Sequence, residues 1–289
     1  MLHTIEKPSK AKGYVTSSRT QIAEHVERIL VTPNVAQAWL DKNTKNRKMS
    51  GSHVAKLARD MKKKNWVYSG EAIKFDVNGN LIDGQHRLAA CVKADVPFET
   101  LVIYNLTGET QVVLDSGKTR STADIFSLDG MHHANHLAAA CRLIAAERDG
   151  ADALEGSRYS TSELVATLEY HKELPSVVNF VAQSKYPKGI STSHVAAIVY
   201  VGKHLMNANL VADSFAQVMA NGIPIYEGDA AHALRERVIK ANTGPLTFRK
   251  QDKWKLMKHA WNLFSIQQPA RLFRIPAEVR FIGLDYKLL

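Results

Sequence analysis

The stretch Asp83-Gly84-Gln85-His86-Arg87 places a carboxylate, a glycine and three polar side chains ahead of an alanine-rich segment in this chain of 289 residues. Glycine permits a tight turn, and a helix that begins at such a turn presents backbone N–H groups and the positive end of its dipole. Arg87 can bind phosphate oxygens through two N–H groups at once, and His86 can donate a hydrogen bond or carry a proton. Residues of these types in this order predict an anion-binding turn.

The same residues also admit a structural interpretation. Asp83 can be the N-cap of the following helix or a ligand of Mg²⁺, and Gln85 can orient a water molecule or a base edge. Polar residues are common at helix starts, so the spacing alone leaves both an anion site and a solvated helix end open.

A hairpin is expected to position this turn. Residues 72–83 alternate apolar and polar side chains around Asn78-Gly79, a dipeptide typical of a two-residue turn in which both positions have positive φ. Strands are also predicted at Arg28–Pro33 and Phe98–Leu106, which is rich in β-branched residues. With two helices before the hairpin and one after it, the predicted order is β, α, α, β-hairpin, α, β.

Strand patterns almost vanish after Thr107. A short helix is predicted to end near Gly117, and from about Asn135 onward apolar residues recur with helical spacing. The predicted fold class is therefore α+β, with a small mixed-sheet domain followed by an all-α domain. Its expected parts are a flexible basic lead over residues 1–22, the sheet domain over 23–128 and the helical domain over 129–289.

The charge distribution favours a polyanionic partner, most simply DNA. The chain has 38 Lys and Arg against 28 Asp and Glu, and the segment Asp41–Lys64 alone holds nine basic and two acidic residues. A second basic block begins at Arg249, and a generally basic surface is the simpler alternative. The residues expected to contact DNA are Lys45, Arg47, Lys48, Lys56, Lys62, Lys63, Lys64, Arg249, Lys250 and Lys253.

Composition argues against several protein classes. Two cysteines outside any Cys/His cluster cannot form a disulfide framework, and they make a structural zinc site unexpected. The sequence shows no apolar run near the roughly 18 residues needed to span a bilayer, and no apolar segment typical of a secretory signal. We therefore expect a cytoplasmic protein without a membrane partner. The oligomeric state stays open, a homo-oligomer included.

The segment LIDGQHRLAACVKA, between a predicted hairpin and the strand FETLVIYNL, resembles the ParB/sulfiredoxin superfamily. The residues Asp83–Arg87 are most similar to the D-G-Q-H-R motif of proteins associated with DNA-modification systems. ParB-like proteins also occur on phages and plasmids. The resemblance covers Arg28–Thr122. It implies that Gly84 lets the backbone approach nucleotide phosphates, that His86 and Arg87 bind and polarise them, and that Asp83 and Gln85 complete the rim.

One residue departs from the better-known versions of this motif. Gln85 stands where sulfiredoxins carry the cysteine of G-C-H-R, so sulfinic acid reduction is not expected. It also replaces the glutamate of the G-E-R-R version in partition proteins, whose CTP clamping is therefore not carried over. We find no clear ParB-like helix-turn-helix in the sequence.

A second basic cluster, LDSGKTRS, spans Leu114–Ser121 and resembles a D-x-G-x-x-R element of mobile-element ParB-like proteins. Lys118, Thr119 and Arg120 would bind the same phosphates from the other side if the fold brings them over the Gly84 turn. The cluster lacks the complete Walker A pattern, and a solvated basic loop is the alternative.

Three functions follow from these patterns. The first is a DNA-associated nucleotide-binding protein that holds an NTP (ATP or CTP) with Mg²⁺ and acts as an NTP hydrolase through Asp83, Gln85, His86 and Arg87, with Asp83 as metal ligand. The second is a ParB-like nuclease or phosphotransferase using the same site, with Asp83 as metal ligand or base. The third is a non-enzymatic DNA-binding regulator in which the turn is only structural.

Overall fold

The computed structural model describes residues 23–44, 46, 48–107, 120–150, 159–243, 248–270 and 273–289. The chain divides into two compact units. Met1–Lys48 and Val67–Leu114 form the first, which we call the sheet unit. Met49–Trp66 and Asp115–Leu289 form the second, the helical unit.

The described elements comprise four β-strands and eleven α-helices. In chain order they are β1 (His25–Val31), α1 (Pro33–Leu40), α2 (Gly51–Lys62), β2 (Ala72–Asp76), β3 (Leu81–Asp83), α3 (Gln85–Ala94), β4 (Phe98–Leu106), α4 (Thr122–Leu128), α5 (Ala134–Arg148), α6 (Thr161–Tyr170), α7 (Leu174–Ala182), α8 (Thr192–Tyr200), α9 (Asn209–Asn221), α10 (Ala230–Thr243) and α11 (Lys250–Ser265). The predicted order up to Leu106 is confirmed, as is the combination of a mixed sheet with many helices.

The strands of the sheet unit form one mixed sheet in the order β1-β4-β2-β3. β4 runs antiparallel to β1 and parallel to β2, and β2 runs antiparallel to β3. Alternation along the strands gives the sheet a buried face, which includes Val31, Ile73, Phe75 and Val102. Trp39 of α1 packs edge-on against Phe75 on this face, with ring centroids 5.2 Å apart.

The hairpin forms as predicted, but its turn is of another type. Only Gly79 has positive φ, at 75°. The Gly79 N–H donates to the Asp76 carbonyl at 2.9 Å, and the Asp76 N–H donates to the Asn80 carbonyl at 3.0 Å. This pattern is that of a three-residue loop with a left-handed glycine rather than a two-residue turn. The Asp76 carboxylate explains the preference, because it accepts hydrogen bonds from the backbone N–H groups of Asn78 and Asn80.

The helical unit is built around an apolar core. Trp261 of α11 is fully buried, and Phe215 of α9 meets it edge-on with centroids 5.6 Å apart. Gly202 lies in a π-helical turn, Val201–Leu205, that follows α8. A Cβ at Gly202 would lie 2.6 Å from the Trp261 ring, so only glycine allows this close packing. No helix in the described ranges is long and apolar enough to cross a bilayer.

The division between the units differs from the predicted boundary at residues 128 and 129. The segments that contain α2 and α4 belong to the helical unit. The prediction from the sequence assigned both of them to the sheet domain. Two contacts explain the position of α2. Ser160 Oγ donates to Asp60 at 2.7 Å, and Arg59 binds the carboxylate of Glu163.

Candidate functional site

The turn between β3 and α3 is the structural centre of the candidate site. Gly84 is the N-cap residue of α3, with φ at 99°, and its carbonyl accepts from the N–H groups of Arg87 and Leu88. A side chain is disfavoured here for two reasons, because φ lies in the left-handed region and a Cβ would overlap Cδ1 of Ile73. The alternative in which Asp83 is the N-cap is therefore wrong.

The Asp83 carboxylate instead contacts two cations. Its Oδ2 lies 3.0 Å from Lys74 Nζ, and its Oδ1 lies 3.8 Å from Arg87 Nη2. Arg87 Nη2 also donates to the Ala72 carbonyl at 2.7 Å, which fixes the guanidinium against β2. All three charged side chains are partly buried, with 15 to 22% of each side chain exposed. The group carries two positive charges against one negative charge.

Sequence reasoning missed Lys74. A signal for it exists, because residues on the two strands of a hairpin pair directly and the observed register sets Lys74 opposite Asp83. A two-residue turn at Asn78-Gly79 would itself set Lys74 opposite Asp83. The observed three-residue loop shifts the register by one residue at Phe75 and Leu81, and an irregularity between Lys74 and Phe75 restores the pairing of Lys74 with Asp83.

Gln85 is buried at the start of α3. Its Oε1 accepts from Asn43 Nδ2 at 2.9 Å, and Asn46 in turn donates to Asn43 and to the Leu81 carbonyl. This amide chain ties the segment after α1 to the turn. The predicted orientation of water by Gln85 stays a prediction. His86 lies next to it, half-buried in the first turn of α3.

Several predicted site residues belong to the helical unit or lie outside the described residues. Lys118 and Thr119, predicted to bind phosphate, and Lys45 and Arg47, predicted to bind DNA, belong to the part of the chain that the structure does not describe. Arg120 is exposed and directly precedes Ser121, the N-cap of α4. Its predicted approach to the Gly84 turn remains a prediction.

The basic residues around α2 differ in their surroundings. Lys48, Lys62, Lys63 and Lys64 are exposed, and Lys56 is half-buried. Lys63 and Arg59 both bind Glu163. Burial alone would raise the pKa of Glu163, but hydrogen bonds from Arg59, the Ser160 backbone and Lys63 outweigh it and lower that pKa to about 2. A fixed carboxylate therefore neutralises part of the positive charge of α2.

The second basic block is divided between different faces of α11. Arg249 is exposed at the N-cap of this helix and Lys250 is its first residue. Lys253 is half-buried beside His194, where burial and the Lys253 charge lower the pKa of the imidazole to about 4. Lys258, further along the same block, is buried in an ion pair with Glu147. The block therefore does not form one continuous basic surface.

The described residues contain no group of three or more His, Cys, Asp and Glu side chains arranged to hold a metal ion. At the Gly84 turn the acidic ligand available to Mg²⁺ is Asp83, which Lys74 already binds. With Asp83 as the acidic ligand at this turn, Mg²⁺ would be held mainly by phosphate oxygens and water rather than by side chains of the protein.

Comparison of the chain with protein-family models, with curated proteins and with solved structures finds no match in any of the three.

Proposed function

We propose that the protein binds the phosphate groups of a nucleoside triphosphate at the N-terminal turn of α3 and associates with DNA. The observation that carries the first part is the left-handed glycine between β3 and α3, with Lys74, His86 and Arg87 around it. A strand, a tight glycine turn and a helix N-terminus together favour an anion, because backbone N–H groups and the helix dipole point the same way.

Charge supports the same assignment. Lys74 and Arg87 together exceed the single negative charge of Asp83, so an incoming phosphate would share or replace that carboxylate as their partner. The contact of Arg87 with the Ala72 carbonyl holds the guanidinium in place before a ligand arrives, which lowers the entropic cost of binding. Bound Mg²⁺ would neutralise charge on the phosphates. His86 and Arg87 are the groups that would contact them.

A thermal-shift titration with ATP, CTP, GTP and ADP, each with and without Mg²⁺, tests this proposal. A nucleotide at 100 times its Kd should add about 2.7 kcal/mol to the free energy of unfolding. We expect His86→Ala to weaken binding at least tenfold. Lys93→Ala provides the matched control, because Lys93 is an exposed cation at the opposite end of the same helix.

If none of the nucleotides raises the melting temperature, the nucleotide part of the proposal is refuted. Equal losses in His86→Ala and Lys93→Ala would show that the Gly84 turn is not the site. Turnover is measured in the same samples by phosphate release, which separates binding from NTP hydrolysis and from phosphotransfer.

The DNA part rests on exposed lysines at the C-terminal end of α2 and directly after it. Lys62 and Lys64 are exposed and form no ion pair within the described residues, in contrast to Lys63. Contacts of such lysines with the phosphate backbone would be independent of sequence and would weaken with salt. The logarithm of the DNA association constant falls linearly with the logarithm of the salt concentration. We expect Lys62→Gln and Lys64→Gln each to make this slope less steep by about 1. Lys240→Gln, an exposed position on α10, should leave that slope unchanged.

A second candidate is a DNA-binding regulator without nucleotide. The ion pair of Asp83 with Lys74 favours it, because this pair already satisfies much of the charge at the turn. The two candidates predict different results. The regulator is supported, and the nucleotide-binding protein excluded, if no nucleotide raises the melting temperature of the wild type and DNA binding persists in His86→Ala.

A further inference from the structure

A cleft of about 580 Å³ opens in the helical unit, between the C-terminal end of α5, the first half of α11 and the segment 277–286. This volume lies within the range of roughly 300 to 1,000 Å³ that small-molecule sites occupy. The lining residues all belong to one unit. They include none of the residues assigned above to the nucleotide or to DNA.

The carboxylate of Glu147, which accepts four hydrogen bonds, lies in this cleft. Glu147 accepts two hydrogen bonds from Lys258 Nζ, at 2.8 and 3.1 Å, one from Trp254 Nε1 at 3.2 Å and one from Tyr286 Oη at 3.1 Å. The Glu147 and Lys258 side chains are 7% and 9% exposed. The negative charge of Glu147 is thus neutralised by a buried partner, and little of it remains to attract a cationic ligand.

The walls of the cleft carry an excess of positive charge. Lys255 directs Nζ to the Ala277 carbonyl at 2.8 Å, which uses one of its three N–H donors. The Arg280 guanidinium lies 5.3 Å from the centre of the Tyr286 ring, so its edge N–H groups remain able to bind oxygen atoms. Arg148 also lines the cleft, but Asp149 compensates its charge, with Nε 2.9 Å from Oδ1. Glu278 is the lining carboxylate besides Glu147, so the charges of Lys255 and Arg280 still exceed it.

We propose that this cleft binds a small organic phosphate, with the phosphate group between Lys255 and Arg280. A guanidinium binds two phosphate oxygens at once and an ammonium adds a point charge, so the pair suits phosphate. A phosphate group occupies only a small part of such a volume, which leaves room for an organic portion against Trp254 and Tyr286. Cationic ligands are disfavoured, because the free charge of the walls is positive.

Ribose 5-phosphate, inorganic phosphate and ribose are suitable probes at constant ionic strength. Trp254 lines the cleft and supplies a local fluorescence signal, and isothermal titration calorimetry gives the Kd independently. We expect saturable binding of ribose 5-phosphate, weaker binding of inorganic phosphate and no binding of ribose. Trp254→Phe should remove the fluorescence response while the calorimetric signal persists.

Lys255→Gln and Arg280→Gln should each weaken the binding of ribose 5-phosphate at least tenfold. Lys240→Gln controls for the general loss of one positive charge, and His86→Ala controls for the Gly84 turn; neither should change the Kd. Circular dichroism of each variant verifies that it folds.

Two results would overturn the proposal. One is the absence of saturable binding by ribose 5-phosphate, or binding no tighter than that of inorganic phosphate. The other is an equal loss in Lys240→Gln and in the cleft variants. Since the Gly84 turn lies in the other unit and has its own variant, failure of this proposal leaves the proposed nucleotide site unaffected.

Discussion

Lys74 and Asp83 face each other across the β2–β3 hairpin, with Nζ 3.0 Å from Oδ2, directly before the turn that carries His86 and Arg87. The pair gives Asp83 a role that its position in the motif does not reveal. Asp83 is the counter-ion of two cations, Lys74 and Arg87, and it competes with any anion that approaches them.

Asp83→Asn should therefore strengthen the binding of nucleotide in the absence of Mg²⁺. Removing the carboxylate takes away the negative charge that competes with the phosphates for Lys74 and Arg87, and an interaction of about 1 kcal/mol corresponds to roughly a fivefold lower Kd. Calorimetric titration with and without Mg²⁺ measures the change. If Asp83 is a metal ligand instead, the variant will lose affinity only when Mg²⁺ is present.

Gly84→Ala should lower the free energy of unfolding by about 2 kcal/mol or more, because φ at 99° is strained for alanine and the new Cβ overlaps Ile73. Ile73→Val removes only the Cδ1 methyl that is in the way. The double variant Gly84→Ala/Ile73→Val should thus lose less stability than the sum of the two single variants. Urea denaturation of all four proteins gives the coupling. Strict additivity would mean that the overlap with Ile73 has no energetic cost.

The Glu163 cluster should make the helical unit sensitive to acid. The pKa of Glu163 is lowered from 4.5 to about 2 in the folded protein, so its contribution is complete above pH 4.5 and is lost as the pH falls toward 2. We expect a loss on the order of 2 kcal/mol over this range, allowing for the solvent exposure of Arg59 and Lys63.

The matched variant for this prediction is Glu163→Gln, which should be less stable at pH 7 and should lack most of the decline between pH 4.5 and 2. Asp60 acts in the opposite direction, because burial raises its pKa. The difference between wild type and Glu163→Gln removes the part of that contribution that comes from burial, whereas the part that comes from the Glu163 charge disappears in the variant. Parallel pH curves for the two proteins would contradict the assignment.

The pair Lys258–Glu147 should tolerate joint replacement better than single replacement. Lys258→Met leaves Glu147 charged and buried with two neutral donors, Trp254 and Tyr286, and the expected cost is about 3 kcal/mol. Glu147→Gln leaves Lys258 without a counter-charge, at a similar cost. The double variant should be more stable than the sum of the two losses by at least about 1 kcal/mol. Losses that simply add would show that the two side chains do not stabilise each other.

Local patterns in the sequence determined much of the sheet unit. Alternating residues around Asn78-Gly79 predict the hairpin, and Gly84 ahead of an alanine-rich stretch predicts the turn and the start of α3. These features were accessible because they depend on neighbours within about ten residues, where periodicity and backbone preference act directly. The turn type was not, since the Asp76 carboxylate selects it by hydrogen bonds that composition alone does not specify.

Only the tertiary structure decided which charges are free and which are compensated. Glu147 and Lys258 are 111 positions apart, and Arg59 and Glu163 are 104 apart. No local pattern pairs such residues, because their contact follows from how helices pack. The same packing places α2 with the helical unit and divides the second basic block between different faces of α11. The sequence by itself determined the residue types and the local turn at Gly84, whereas long-range packing determined the electrostatic partners of those residues.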